Sequence, residues 1–143
     1  MTERRICTFH VDSLLLGVDV ERVQEVLHDE VVTPVPLAHP SIAGLLNLRG
    51  QIATAIDTRR RLGLAPRDPP GSTTNVVIRS GGEVLTLLVD REGDVVDVED
   101  TFFEVVPETV SDTIRALVIG AYKIDGRLLL LLDPDLTLAV ASS

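Results

Sequence analysis

Ile42-Ala43-Gly44-Leu45-Leu46-Asn47-Leu48-Arg49-Gly50-Gln51-Ile52-Ala53-Thr54-Ala55-Ile56-Asp57 sets Leu46, Leu48, Ile52, Thr54 and Ile56 on even positions and Asn47, Arg49, Gln51 and Asp57 on odd ones. A two-residue period is what a half-buried strand requires, because successive side chains point to opposite faces. The spacing predicts one strand with a packed face and a face left free for readout. Gly44 and Gly50 interrupt it where a bend, a bulge or a close backbone approach would sit, since only glycine lacks a Cβ. Arg49 falls in the polar row, which directs its head to a surface or crevice where the planar guanidinium can grip a carboxylate at two points. The residues alone leave an ordinary surface arginine equally open.

Working outward, Ile6 to Val11 and Leu14 to Val20 flank Asp12-Ser13 and read as an opening hairpin. Val20, Val23, Val26 and Leu27 recur at helical spacing, so Glu21 to Asp29 fits a short helical turn at least as well as a strand. Thr33-Pro34-Val35-Pro36 is forced into extended backbone, because a residue before proline is pushed out of the α region. Thr58 to Leu64 reads as a helical turn that closes the first half. Residues 65–74 then carry the proline and glycine density of a linker. Beyond it, Ser80-Gly81-Gly82 is a hairpin signal, and Val84 to Val89 is apolar enough for a central strand buried on both faces. Asp94 to Val98 reads as a shorter strand and Thr101 to Pro107 as irregular. Ser111 is placed to cap a helical turn. Asp125-Gly126 is the strongest two-residue hairpin signal in the chain, and Asp133 caps a closing turn from Pro134 to Ala139.

The two halves repeat. At an offset of 76, Gly44 falls on Gly120, Leu48 on Ile124, Gly50 on Gly126, Ile52 on Leu128, Ile56 on Leu132, Asp57 on Asp133 and Leu62 on Leu138. Upstream, Val18-Asp19 faces Val89-Asp90 at a shift of 71. Two glycines and a strand-ending aspartate in register exceed what shared strand composition gives. The expected fold is all-β with short helices, in which residues 6–63 and 75–139 form two similar lobes within one domain. Short strands of this kind are best protected as small barrels, whose closure removes exposed edges.

Composition narrows the function. The 143 residues carry 13 basic and 22 acidic side chains, a net charge of −9 that repels nucleic acid and anionic lipid and favours basic partners. With 3% aromatic residues, the core must be built from Val, Leu and Ile. Cys7 is the only cysteine, which excludes an internal disulfide and fits a reducing compartment; within a strand it reads as a small buried hydrophobe. The opening residues hold too few apolar positions for a signal peptide, and no apolar run approaches the roughly 18 residues of a membrane span, so a cytosolic protein is expected. His10, His28 and His39 are too scattered for a metal signature, and Asp90, Asp94, Asp97 and Asp100 lack the spacing and glycine of a calcium loop. Arg59-Arg60-Arg61 reads as a solvated helical face rather than a phosphate site. No phosphate loop, nucleophile elbow or catalytic carboxylate pair stands out, so neither a cofactor nor a metal is expected.

Arg22-Val23-Gln24-Glu25-Val26, Pro36, Gly44-Leu45-Leu46-Asn47-Leu48-Arg49-Gly50, Ile56-Asp57 with Arg59 and Leu62-Gly63, and Leu88-Val89-Asp90 with Val95 beyond, occur in this order across almost the whole chain. In this order they resemble the CheW-type coupling proteins of bacterial chemotaxis. The resemblance implies two five-stranded β-barrels around a shared core, and a non-enzymatic adaptor joining the regulatory domain of the histidine kinase CheA to the cytoplasmic tip of chemoreceptors. It implies recruitment from the cytoplasm to membrane receptor arrays. Carried over residue by residue, it makes Glu25 and Arg49 a pair beside a receptor groove lined by apolar residues such as Val23 and Val95, with Gly44 and Asn47 as further receptor-binding candidates. It leaves the kinase-binding residues unassigned. Thr58 stands where the family has leucine, and Ala53 and Ala55 are smaller than usual. The alternative reading is a small acidic β-barrel module that binds a ligand or protein outside chemotaxis.

Overall fold

A computed structural model describes residues 3–67 and 71–139. The chain forms β1 (Glu3–Val11), β2 (Leu14–Asp19), a 3-10 turn (Val20–Arg22), β3 (Val23–His28), β4 (Ile42–Leu48), β5 (Gln51–Asp57) and α1 (Thr58–Arg61). After the linker come β6 (Thr74–Ser80), β7 (Glu83–Val89), β8 (Arg91–Glu99), a 3-10 turn (Asp100–Phe102), α2 (Asp112–Arg115), β9 (Val118–Ile124), β10 (Arg127–Leu132) and α3 (Pro134–Leu138). The all-β class with short helices and two five-stranded units is as the sequence predicts. Asp57, Ser111 and Asp133 each cap the following helix by accepting from a backbone N–H three residues on.

Two readings are corrected. The segment from Glu21 to Asp29 is only briefly helical: the 3-10 turn gives way to strand β3, because pairing with β6 supplies hydrogen bonds that a lone turn in a Val-rich stretch cannot match. The opening stretch is a hairpin, not one strand. Leu48 pairs with Gln51, and Arg49 and Gly50 form the turn with φ of 54° and 88°. Two left-handed residues match the right-handed twist of the flanking strands. The turn also changes which parity is buried: Leu46 and Leu48 lie inward on β4, whereas Ala53 and Ala55 do so on β5 and Ile52 is exposed.

The sheets run β8-β1-β2-β10-β9 and β3-β6-β7-β5-β4, so each draws strands from both halves of the chain and, contrary to the expectation from the repeat, residues 6–63 and 75–139 do not each form a lobe of their own. Two of the junctions between halves are parallel, β2 with β10 and β5 with β7, and two are antiparallel, β1 with β8 and β3 with β6. β7 is the middle strand of its sheet, as its apolar run predicts. Among the described residues neither sheet closes edge to edge. Instead the chain leaving β3 bridges back onto β4 at Thr33 and Leu45, and the chain leaving β8 bridges onto β9 at Glu104 and Ala121. Both sheets therefore curl around a core of their own. Ile6, Val98, Tyr122, Leu129 and Leu131 fill the first, while Leu46, Leu48, Ala53, Ala55 and Val77 fill the second. A larger cluster with Phe9, Leu16, Ile56, Leu62, Ile78, Leu87 and Leu130 lies between them.

The bridges explain the repeated glycines. A Cβ on Gly44 would lie 2.1 Å from the Thr33 carbonyl oxygen, and one on Gly120 would lie 2.0 Å from the Phe103 ring. Each glycine marks the place where the returning chain crosses its edge strand.

Candidate binding site

Glu25 projects from β3, one edge of the second sheet, and Arg49 from the end of β4, the opposite edge. Arg49 Nη1 donates to Glu25 Oε2 at 3.0 Å and Nη2 to Oε1 at 2.8 Å. The two-point fork therefore laces the open seam of the curled sheet. Its members are unequally exposed: the Arg49 side chain is 79% accessible and that of Glu25 19%. The carboxylate is the fixed half, held close to the strand, and the guanidinium is presented outward with its remaining N–H groups free for a further acceptor.

Arg49 reaches this position through the turn and not, as the alternation suggested, through a polar strand row. Asn47 sets the turn, its Oδ1 accepting from the Gly50 backbone N–H at 2.7 Å. Of the candidates from sequence, Glu25, Arg49 and Asn47 thus belong to one constellation. Gly44 lies beneath the Thr33 bridge, where its small size is a packing requirement. Val23 is half-buried against the cluster between the sheets. Val95 belongs to the other sheet, where it pairs with Cys7 and is 54% exposed.

A contact between His28 Nε2 and Glu92 Oε1 at 2.9 Å brings β3 against β8, so the edge carrying Glu25 abuts the strand carrying Val95. Sequence reasoning missed this contact, because the two residues are 64 positions apart and neither lies in a recognisable motif. It also misread Arg59. Far from facing solvent, its side chain is 15% exposed and paired with Asp90, while Arg61 donates to the carbonyls of Leu136 and Thr137. Cys7 is buried, and its thiol is pushed up by burial first and by Glu92 second, which removes it from thiolate chemistry near neutral pH. Among the described residues no group of three or more His, Cys, Asp and Glu is placed to hold a metal ion, and no helix is long and apolar enough to cross a membrane.

The model of the CheW-like domain matches residues 5–142. The chain belongs to the CheW-like family. It is 30% identical to the chemotaxis protein CheW of Rhizobium meliloti over 92% of this chain and 85% of that protein. It is 28% identical to CheW of Bacillus subtilis over 99% of this chain and 91% of that one. The fold superposes on the crystal structure of the scaffolding protein TtCheW from Thermoanaerobacter tengcongensis with a TM-score of 0.82, at 27% identity, covering 92% of this chain and 90% of that one. A CheW-like chain is a scaffold or adaptor of chemotaxis signalling.

Proposed function

We propose that this CheW-like chain couples chemoreceptors to the histidine kinase CheA, binding the receptor cytoplasmic tip and the kinase regulatory domain without catalysing a reaction, from the cytoplasm at membrane receptor arrays. The observation that carries the reading is the Glu25–Arg49 fork, an exposed guanidinium anchored by a more buried carboxylate beside the meeting of β3 and β8. A surface pair of this kind adds little to folding, typically below about 1 kcal/mol, so its geometry is better explained by recognition. Exposed apolar side chains beside both sheets support more than one protein partner: Val31 and Leu37 in the β3–β4 connection with Ile52 on β5, and Phe102 and Val105 in the β8–α2 connection with Ile119 on β9.

Calorimetry with a receptor-tip fragment and with the kinase regulatory domain tests this. Arg49→Glu sets like charges together and leaves the partner's polar groups unpaired, and should weaken receptor binding at least tenfold, about 1.4 kcal/mol. Kinase binding should change less. Adding Glu25→Arg restores part of the loss if the pair acts as a unit. Unchanged receptor affinity in a folded Arg49→Glu protein would refute the assignment.

A further inference from the structure

The chain passes between the sheets twice, from β2 to β3 through Val20–Arg22 and from β7 to β8 through Asp90. At the second crossing the Asp90 carboxylate accepts from Arg59 Nε at 3.0 Å and Arg59 Nη2 at 2.6 Å, and from the backbone N–H of Asp12 at 2.7 Å. Arg67 Nε stands 3.4 Å away. One carboxylate thereby joins α1, which follows β5 of the second sheet, to the β1–β2 turn of the first. At the first crossing Arg22 donates to Asp135 on α3, which follows β10 of the first sheet, at 2.6 Å and 3.4 Å. Arg22 also donates to the Arg79 carbonyl at 2.9 Å, and Ser80 Oγ to Asp135 at 2.7 Å, both at the end of β6 in the second sheet.

The two crossings are thus tied alike but with opposite polarity. In the repeat, Arg59 and Asp135 are equivalent positions 76 residues apart. In one the helix supplies the cation and the crossing the anion; in the other the roles are exchanged. Each pair touches both sheets, and each sits where a change of angle between them must pivot. We infer that the Arg59–Asp90 and Arg22–Asp135 pairs are positioning clamps that set the angle between the two lobes. The inference concerns lobe geometry and stands apart from which partners bind.

The test is electron-spin distance measurement between nitroxides at I52C and K123C, exposed positions on the two sheets, in the full chain with Cys7→Ala. Asp90→Asn should keep its strand content by circular dichroism yet broaden and shift the inter-lobe distance distribution. The exchanged pair Asp90→Arg with Arg59→Asp should bring the distribution back toward the parent, since the other crossing already works with that polarity. Should Asp90→Asn not fold, Asp135→Asn carries the same comparison, its carboxylate being 61% exposed. Distances in the folded asparagine variant that superpose on the parent's overturn the inference. So does an exchanged pair no closer to the parent than Asp90→Asn.

Discussion

Thr58 Oγ1 is fully buried at the start of α1 and has no hydrogen-bond partner among the described residues. A buried hydroxyl without a partner costs about 1–3 kcal/mol, whereas a methyl of the same shape costs nothing in lost solvation. Thr58→Val should therefore raise the melting temperature, read by thermal denaturation, and a drop would mean the hydroxyl is satisfied. Asp90 poses the opposite case. Burial works against its charge, yet the hydrogen bonds from Arg59 and from the Asp12 amide, with the charges of Arg59 and Arg67, outweigh burial and hold the carboxyl below its ordinary value. A carboxylate depressed in the folded state adds stability that is present above its unfolded value, about 3.9, and lost as pH falls through the folded one. Asp90→Asn should be less stable than the parent at neutral pH, and the gap should narrow below about pH 4. Urea titrations at several pH values check this; a gap independent of pH would assign the loss to packing.

The β4–β5 hairpin shows how elements were hidden and why. Alternation located its strands, but arginine is an uncommon first turn residue, so nothing local marked Arg49-Gly50 as a reversal. The repeat held the missing signal. Its partner Asp125-Gly126 is a turn legible on sight, with φ of 47° and 78° matching Arg49 and Gly50. The strands and caps of the second half were readable from Gly-containing turns and from Ser111 and Asp133. The Glu25–Arg49 pairing was readable only through the family resemblance, since no local rule joins residues on opposite edges of a sheet. The Thr33 and Glu104 bridges were not legible at all, for a single ladder rung leaves no period. Gly44 is the handle on the first of them. Gly44→Ala must displace the Thr33 carbonyl, and at a φ of 151° also strains its own backbone, so a loss of about 2 kcal/mol or more is expected. Faster amide exchange at Thr33 and Leu45 in that variant would report the bridge opening, and unchanged exchange would contradict the packing account.

Over the whole molecule, two sheets that each take strands from both halves should lose structure together, because neither half holds a complete sheet. Tyr122 is the only tyrosine in a chain without tryptophan and lies 99% buried within the first sheet's core, at 1% exposure, so its fluorescence reports that lobe alone. Its denaturant midpoint should coincide with that of far-ultraviolet dichroism, which averages over both lobes. Separate midpoints would show lobes that unfold independently. The parallel junction of β2 with β10 has a further consequence, during synthesis. Residues 14–19 leave the ribosome more than a hundred positions before residues 127–132, which must slot between β2 and β9 to fill the first sheet. Until then the nascent chain carries an unpaired strand edge, and loop-closure entropy must be met before the late strand is rewarded. Completion of the first sheet is thereby deferred until residues 127–132 have emerged, and its early strands are the segment most in need of chaperone cover.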